Sequence, residues 1–300
     1  MTKHERAQVV ASHGRHYVAQ TEAGNRLACV TRGKKENPAV GDWITIETVA
    51  RGQGTMVDIS ARSNLLYRSD AFRTKLLAAN LTQVCIVVAT EPSFSAELLE
   101  RALVAAEALL IPVLIVLNKI DLKAFLTHAQ ARLDPYRTLG YLRYEVSVKG
   151  DPEKCREILL PALAHHTSLF MGQSGMGKSS LLNLLVPNAL AATREISEAL
   201  QTGKHTTTDA RLYELPDGSG QIIDTPGFQE FGLAHLSPGQ VERAFPELRA
   251  YLGQCRFYNC THLVEPGCAV RRALKDGAIS PARYDLFSAL TREARGGTTR

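Results

Sequence analysis

The chain has 300 residues, of which 45% are hydrophobic and 22% charged, with a formal net charge of +5; this suits a folded protein of two or three domains and excludes a disordered or low-complexity one. No apolar run approaches the roughly 20 residues of a membrane span, and the first six residues lead into no apolar signal core, so no membrane contact and a cytoplasmic location are expected. Ten basic against six acidic residues over 241–300 concentrate the excess charge in the last fifth, which fits a polyanionic partner or equally a solvated face.

Residues 1–62 read as short strands separated by turn signals. The strand-like runs are 8–12, 16–20, 26–31, 42–49 and 54–59, with breaks at Ala23-Gly-Asn25, Gly33–Pro38 and Arg51–Gly54. Five strands in this length predict a small barrel of the oligonucleotide/oligosaccharide-binding (OB) type. Arg15, His16, Tyr17, Lys34 and Lys35 would be available to a phosphate backbone, although a lysine pair in a loop is as well explained by solvation. From Asn64 strands and helices alternate, the pattern of a parallel sheet. Val84–Ala89 is an apolar strand with Cys85 as a core residue, and Ser95 caps a helix to about Leu109 whose buried face carries Leu98, Leu99, Ala102, Leu103 and Ala106. A strand over 113–117, a helix over 125–133 and a short strand ending at Ser147–Val148 follow, with Cys155 as a structural residue in the next helix.

The chemistry sits between and after these elements. Gly172-Gln173-Ser174-Gly175-Met176-Gly177-Lys178-Ser179-Ser180 fits the Gly-x-x-x-x-Gly-Lys-[Ser/Thr] phosphate loop, preceded by an apolar strand and followed by a helical run. Its backbone N–H groups would face a phosphate chain, Lys178 the outer phosphates and Ser179 a magnesium ion. Asn118-Lys119-Ile120-Asp121 stands at the carboxyl end of a strand, where ligands of open sheets bind. A carboxylate there can accept the ring N–H and amino group that guanine presents side by side, and Ser147 is placed to meet the guanine oxygen. Gly203-Lys-His205-Thr206-Thr207-Thr208 has the character of a loop that orders around magnesium, and the spacing does not decide between Thr206 and Thr207 as the metal ligand. Asp224-Thr-Pro-Gly227 would add Asp224 to the magnesium shell and the Gly227 N–H to the terminal phosphate.

These motifs stand out of the usual order, because the base-recognition residues precede the phosphate loop; the fold expected is a circularly permuted P-loop GTPase domain over 63–232. Beyond it, 233–300 is expected to form a helical domain with runs near 239–252 and 269–275 and a disordered tail from Arg295. Cys255, Cys260, His262 and Cys268 there supply three thiolates and one imidazole, a full tetrahedral shell for one structural Zn2+.

Permutation, small barrel and Cys-Cys-His-Cys site together make the chain resemble the bacterial ribosome small subunit-dependent GTPase A family over nearly its whole length. Ala79-Asn80 before the first apolar strand and Asp224–Phe228 belong to that resemblance, while Leu81-Thr82 departs from the Val-Asp frequent in the family. The resemblance implies a late assembly factor that binds the immature small ribosomal subunit and its rRNA, hydrolyses GTP to GDP when stimulated there, and leaves. Phe228 follows Gly227 where many GTPases carry a water-orienting glutamine, so intrinsic hydrolysis should be slow; by family analogy His205 is the candidate for that task. Two other readings stand beside this: a GTP-gated RNA-binding scaffold with minor hydrolysis, and a P-loop nucleotide kinase, which leaves Asn118–Asp121 unexplained. Nothing in the chain demands more than a monomer.

Overall fold

The computed structural model describes residues 4–13, 16–31, 37–50, 52–69, 74–187, 189, 210–226 and 231–296. Arg15, Lys34, Lys35, the 203–208 loop with His205, Thr206 and Thr207, and Gly227 with Phe228 lie outside the described residues.

The first five strands are β1 (His4–His13), β2 (His16–Thr21), β3 (Arg26–Thr31), β4 (Trp43–Ala50) and β5 (Gln53–Ile59). They pair in the order β1-β2-β3-β5-β4, and β1–β4 pairing closes the ring, giving a five-stranded barrel in which β3 and β5 run parallel. Alternate residues point inward, as the strand period requires: Ala7, Val9, Tyr17, Ala19, Ile44, Ile46 and Met56 form a core of their own. Tyr17 is therefore not available to a polyanion; it is 1% exposed inside the barrel, while His16 beside it points outward.

A two-stranded hairpin, β6 (Leu65–Ser69) and β7 (Thr74–Ala79), leads to the nucleotide domain. There β8 (Gln83–Ala89), β9 (Val113–Asn118), β10 (Leu142–Glu145), β11 (Thr167–Met171), β12 (Arg211–Glu214) and β13 (Gln221–Asp224) align in the order β10-β9-β8-β11-β13-β12, parallel except for β12. All seven residues of β8 are buried, the mark of a central strand covered on both faces. The helices are α1 (Ala96–Ala108), α2 (Lys123–Thr138), α3 (Pro152–Leu163) and α4 (Lys178–Leu185). Ser95 caps α1 by accepting the Leu98 N–H. Leu98 is only partly buried; Val104 and Ala105 are buried beyond the expected face, and the C-terminal domain packs on α1. The strand expected to end at Ser147 stops at Glu145, so Ser147 lies in the loop beyond it.

The barrel and the nucleotide sheet are continuous. One antiparallel pairing, Ala11 with Arg211, joins β1 to β12, so eleven strands form a single sheet. The C-terminal part contains α5 (Pro238–Arg243), α6 (Pro246–Arg249), α7 (Ala269–Lys275) and α8 (Pro281–Ala294). Pro246 divides the run expected near 239–252 into two short helices, since it cannot donate a backbone hydrogen bond within a helix.

Candidate nucleotide site and metal cluster

The phosphate loop connects β11 to α4 at the centre of the parallel sheet. Gly177 has φ +87°, and a Cβ added to it would collide with Asn118 Nδ2. Only glycine combines this left-handed backbone with so close a neighbour. That neighbour belongs to the base-recognition string: Asn118 Nδ2 donates to the Met176 carbonyl at 3.1 Å, and Lys119 Nζ donates to the Gly175 carbonyl at 2.7 Å and to that of Glu91 at 2.7 Å. Two motifs far apart in sequence thus form one hydrogen-bonded unit.

Around Asp121 the arrangement is equally close-knit. The Ser147 hydroxyl donates to Asp121 Oδ1 and accepts the Gly150 N–H at 2.8 Å. Ser147 thereby holds the carboxylate plane through its side chain, a contact that spacing alone does not show. Asn118 Oδ1 accepts the Lys119 N–H at 2.8 Å and the Val148 N–H at 3.4 Å, which joins the loop after β10 to the end of β9.

At the phosphate end, Lys178 Nζ donates to Asp224 Oδ1 and to the Thr225 carbonyl. Both side chains are buried; burial pushes the Asp224 carboxyl above the ordinary range, against the opposing pull of Lys178. Ser174, Gly175, Ser179 and Ser180 are exposed on the loop and first helical turn, and Met176 is buried beneath it. The Gln173 side chain is engaged elsewhere: its Oε1 accepts the Ser95 N–H at 2.6 Å, tying the phosphate loop to the start of α1.

Three cysteines lie apart from this chemistry. Cys29, Cys85 and Cys155 are buried, and burial raises each thiol, Cys29 and Cys155 to about 11, so they stay protonated core residues. In the C-terminal part, by contrast, ligand atoms of Cys255, Cys260, His262 and Cys268 all lie within 4.8 Å of one another. His262 Nδ1 is 3.4 Å from Cys255 Sγ and 3.3 Å from Cys268 Sγ. Backbone N–H groups point at the sulfurs, that of Ala269 at Cys255 at 3.3 Å and that of Arg271 at Cys268 at 3.4 Å. Three soft sulfur donors and one imidazole suit a four-coordinate zinc ion, so this cluster could hold one.

The sequence profile of the RsgA GTPase family matches residues 59–234. The chain belongs to that family. It is 59% identical over 293 residues to a Burkholderia pseudomallei protein named small ribosomal subunit biogenesis GTPase RsgA, covering 97% of this chain and 93% of that one. A Ralstonia pickettii protein of the same name is 56% identical over the same shares. Among solved structures, YjeQ from Thermotoga maritima superimposes with a TM-score of 0.71 at 29% identity over 98% of this chain and 99% of that one. YloQ, described as a circularly permuted GTPase, gives 0.69 at 28% identity over 99% and 97%. The permuted GTPase fold expected from motif order is thus the fold of this RsgA family member.

Proposed function

We propose that the chain is a small-subunit assembly GTPase. It binds GTP with Mg2+, hydrolyses it to GDP when engaged with the immature small ribosomal subunit and its rRNA, and then dissociates, acting in the cytoplasm as a monomer. The observation that carries this reading is the direct hydrogen bond from Asn118 to the Met176 carbonyl, which ties the base-recognition string to the phosphate loop. The relatives named for small-subunit biogenesis supply the process.

In this reading Asp121 accepts the two guanine donors, Ser147 holds its plane, and Asn118 and Lys119 brace the loop. Gly172, Gln173, Ser174, Gly175, Met176, Gly177, Lys178, Ser179 and Ser180 form the phosphate cradle. Ser179, Asp224 and one of Thr206 and Thr207 are the magnesium ligands, and Gly227 contacts the terminal phosphate. Magnesium, when bound, supplies charge neutralisation at the phosphates. Lys178 must exchange Asp224 for phosphate oxygens, a swap of one anionic partner for another. His205 orients the attacking water. Cys255, Cys260, His262 and Cys268 hold a structural Zn2+.

Replacing Asp121 with Asn tests the base assignment. GTP binding, measured by titration calorimetry, should weaken about 100-fold or more, because a site built for paired donors loses an acceptor. Xanthosine triphosphate should gain affinity. Unchanged GTP binding would refute the guanine assignment.

A further inference from the structure

His262 is held from three sides. Its carbonyl accepts the Tyr284 hydroxyl at 2.6 Å, its ring centroid lies 6.2 Å from that of Phe287, and its Nε2 lies 3.1 Å from Glu242 Oε1. The backbone at His262 is left-handed, with φ +62°, and the residue is 3% exposed. With Nδ1 turned toward the thiols, Nε2 is the nitrogen left to carry the proton, and the carboxylate opposite it is an acceptor only. Glu242 is not one of the four clustered ligands and is not close to them in sequence. It lies on α5, the first helix after the segment that leaves Asp224, and α5 is anchored there by a capping box between Ser237 and Gln240.

We infer that Glu242 is a positioning residue of the metal cluster: it accepts the Nε2–H of His262, fixes the tautomer that offers Nδ1 to the metal, and makes metal retention depend on the docking of α5. The inference rests on the zinc reading above. A carboxylate behind a ligating imidazole orients the ring and makes it a better donor, and loss of such a partner typically lowers metal affinity about 10–100-fold. The same contact gives the cluster a physical link to the nucleotide domain. α5 packs against both α1 and α8, so Glu242 sits where the exit from the Asp224 turn meets the metal-bearing loop. The side-chain amide of a Glu242→Gln variant keeps an oxygen that can accept the same proton, without the charge.

The test uses the full-length zinc-loaded protein and follows zinc transfer to a metallochromic chelator. Glu242→Ala should release zinc about 10–100-fold faster than the unaltered protein, and Glu242→Gln should fall between them. The cobalt(II)-substituted protein should show a changed ligand-field spectrum in Glu242→Ala that Glu242→Gln restores in part. Release from Glu242→Ala at the unaltered rate would overturn the inference. So would equal acceleration in both variants with loss of helical circular dichroism, since that is the signature of a packing role alone. If the unaltered protein retains no zinc after purification with the metal supplied, the zinc reading itself fails, which is a separate result.

Discussion

The barrel and the C-terminal domain both share apolar packing with the nucleotide domain, but their polar contacts differ: the barrel's are backbone and neutral side-chain hydrogen bonds, while those of the C-terminal domain with α1 include ion pairs. On the barrel side, β1 pairs with β12, Ala79 N–H donates to the Val40 carbonyl at 2.9 Å, and Gln8 and Gln221 exchange amide hydrogen bonds of 3.3 and 3.0 Å. Asn80 reaches the Gly41 carbonyl at 3.1 Å. On the other side, Arg101 pairs with Glu293 at 3.0 Å and Arg249 pairs with Glu107, in partly exposed positions on α1. Backbone pairing in a closed sheet is directional and insensitive to salt. Exposed ion pairs contribute little each and weaken as salt rises. The chain thus enters the barrel seam through β12, and runs on from the Asp224 turn into a domain that adds ion pairs to its apolar packing on α1, the salt-sensitive clasp of the two attachments.

The largest effect should come from inside the clasped domain. Arg283 is 6% exposed, pairs with Glu247 at 2.6 Å and lies over the Phe245 ring at 4.6 Å. Glu247→Ala would leave a buried guanidinium without its partner, at a cost of about 3–5 kcal/mol. Chemical denaturation followed by far-UV circular dichroism should show helical structure lost early. The fluorescence of Trp43, the chain's single tryptophan and a barrel residue, should keep its midpoint. Coincident early loss of both signals would mean that the two attachments are not independent.

Gly41→Ala attacks the seam instead. Gly41 has φ +93°, and its added Cβ would collide with the Ala79 carbonyl oxygen. Left-handed strain of about 1–2 kcal/mol and overpacking of about 1–3 kcal/mol should together shift the Trp43 transition to lower denaturant, leaving the helical transition nearly in place. A smaller effect is expected from the Arg101→Ala, Arg249→Ala double variant. It should lose about 1 kcal/mol of C-terminal docking at low salt and nothing measurable at high salt, read by hydrogen exchange at α1. A salt-independent loss would show that packing, not charge, makes the clasp.

Much of this was legible from sequence because it is local. The phosphate loop, Asn118–Asp121, Asp224 and the Cys-Cys-His-Cys spacing are short strings whose chemistry follows from residue type, and the barrel strands announce themselves by turn residues and a period of two. What escaped is set by distant partners. The hairpin β6–β7 and the β1–β12 seam depend on pairings that no local period encodes. Tyr17 points inward because its register in β2 says so, while its residue type suits either face. The Gln173 side chain meets the Ser95 N–H, a partner that no local pattern names. The helix over Pro281–Ala294 did carry a signal, a Ser280 cap with proline at its first position and Leu286, Phe287 and Leu290 at helical spacing. Glu242 had none, since its meaning comes from His262, which reaches it only in the folded chain.

Coupling of nucleotide binding to partner-stimulated hydrolysis is the claim on which the rest depends, and one measurement reaches it directly. Single-turnover hydrolysis of GTP should be followed with and without purified small ribosomal subunits, for the unaltered protein and for His205→Ala. The expected result is slow turnover alone, a rise of at least about 100-fold with subunits, and loss of most of that rise in His205→Ala, in the range for removing a group that assists proton transfer or water alignment. Equal rates with and without subunits, in protein shown to bind both GTP and the subunit, would contradict it and leave a GTP-gated binding scaffold as the better description.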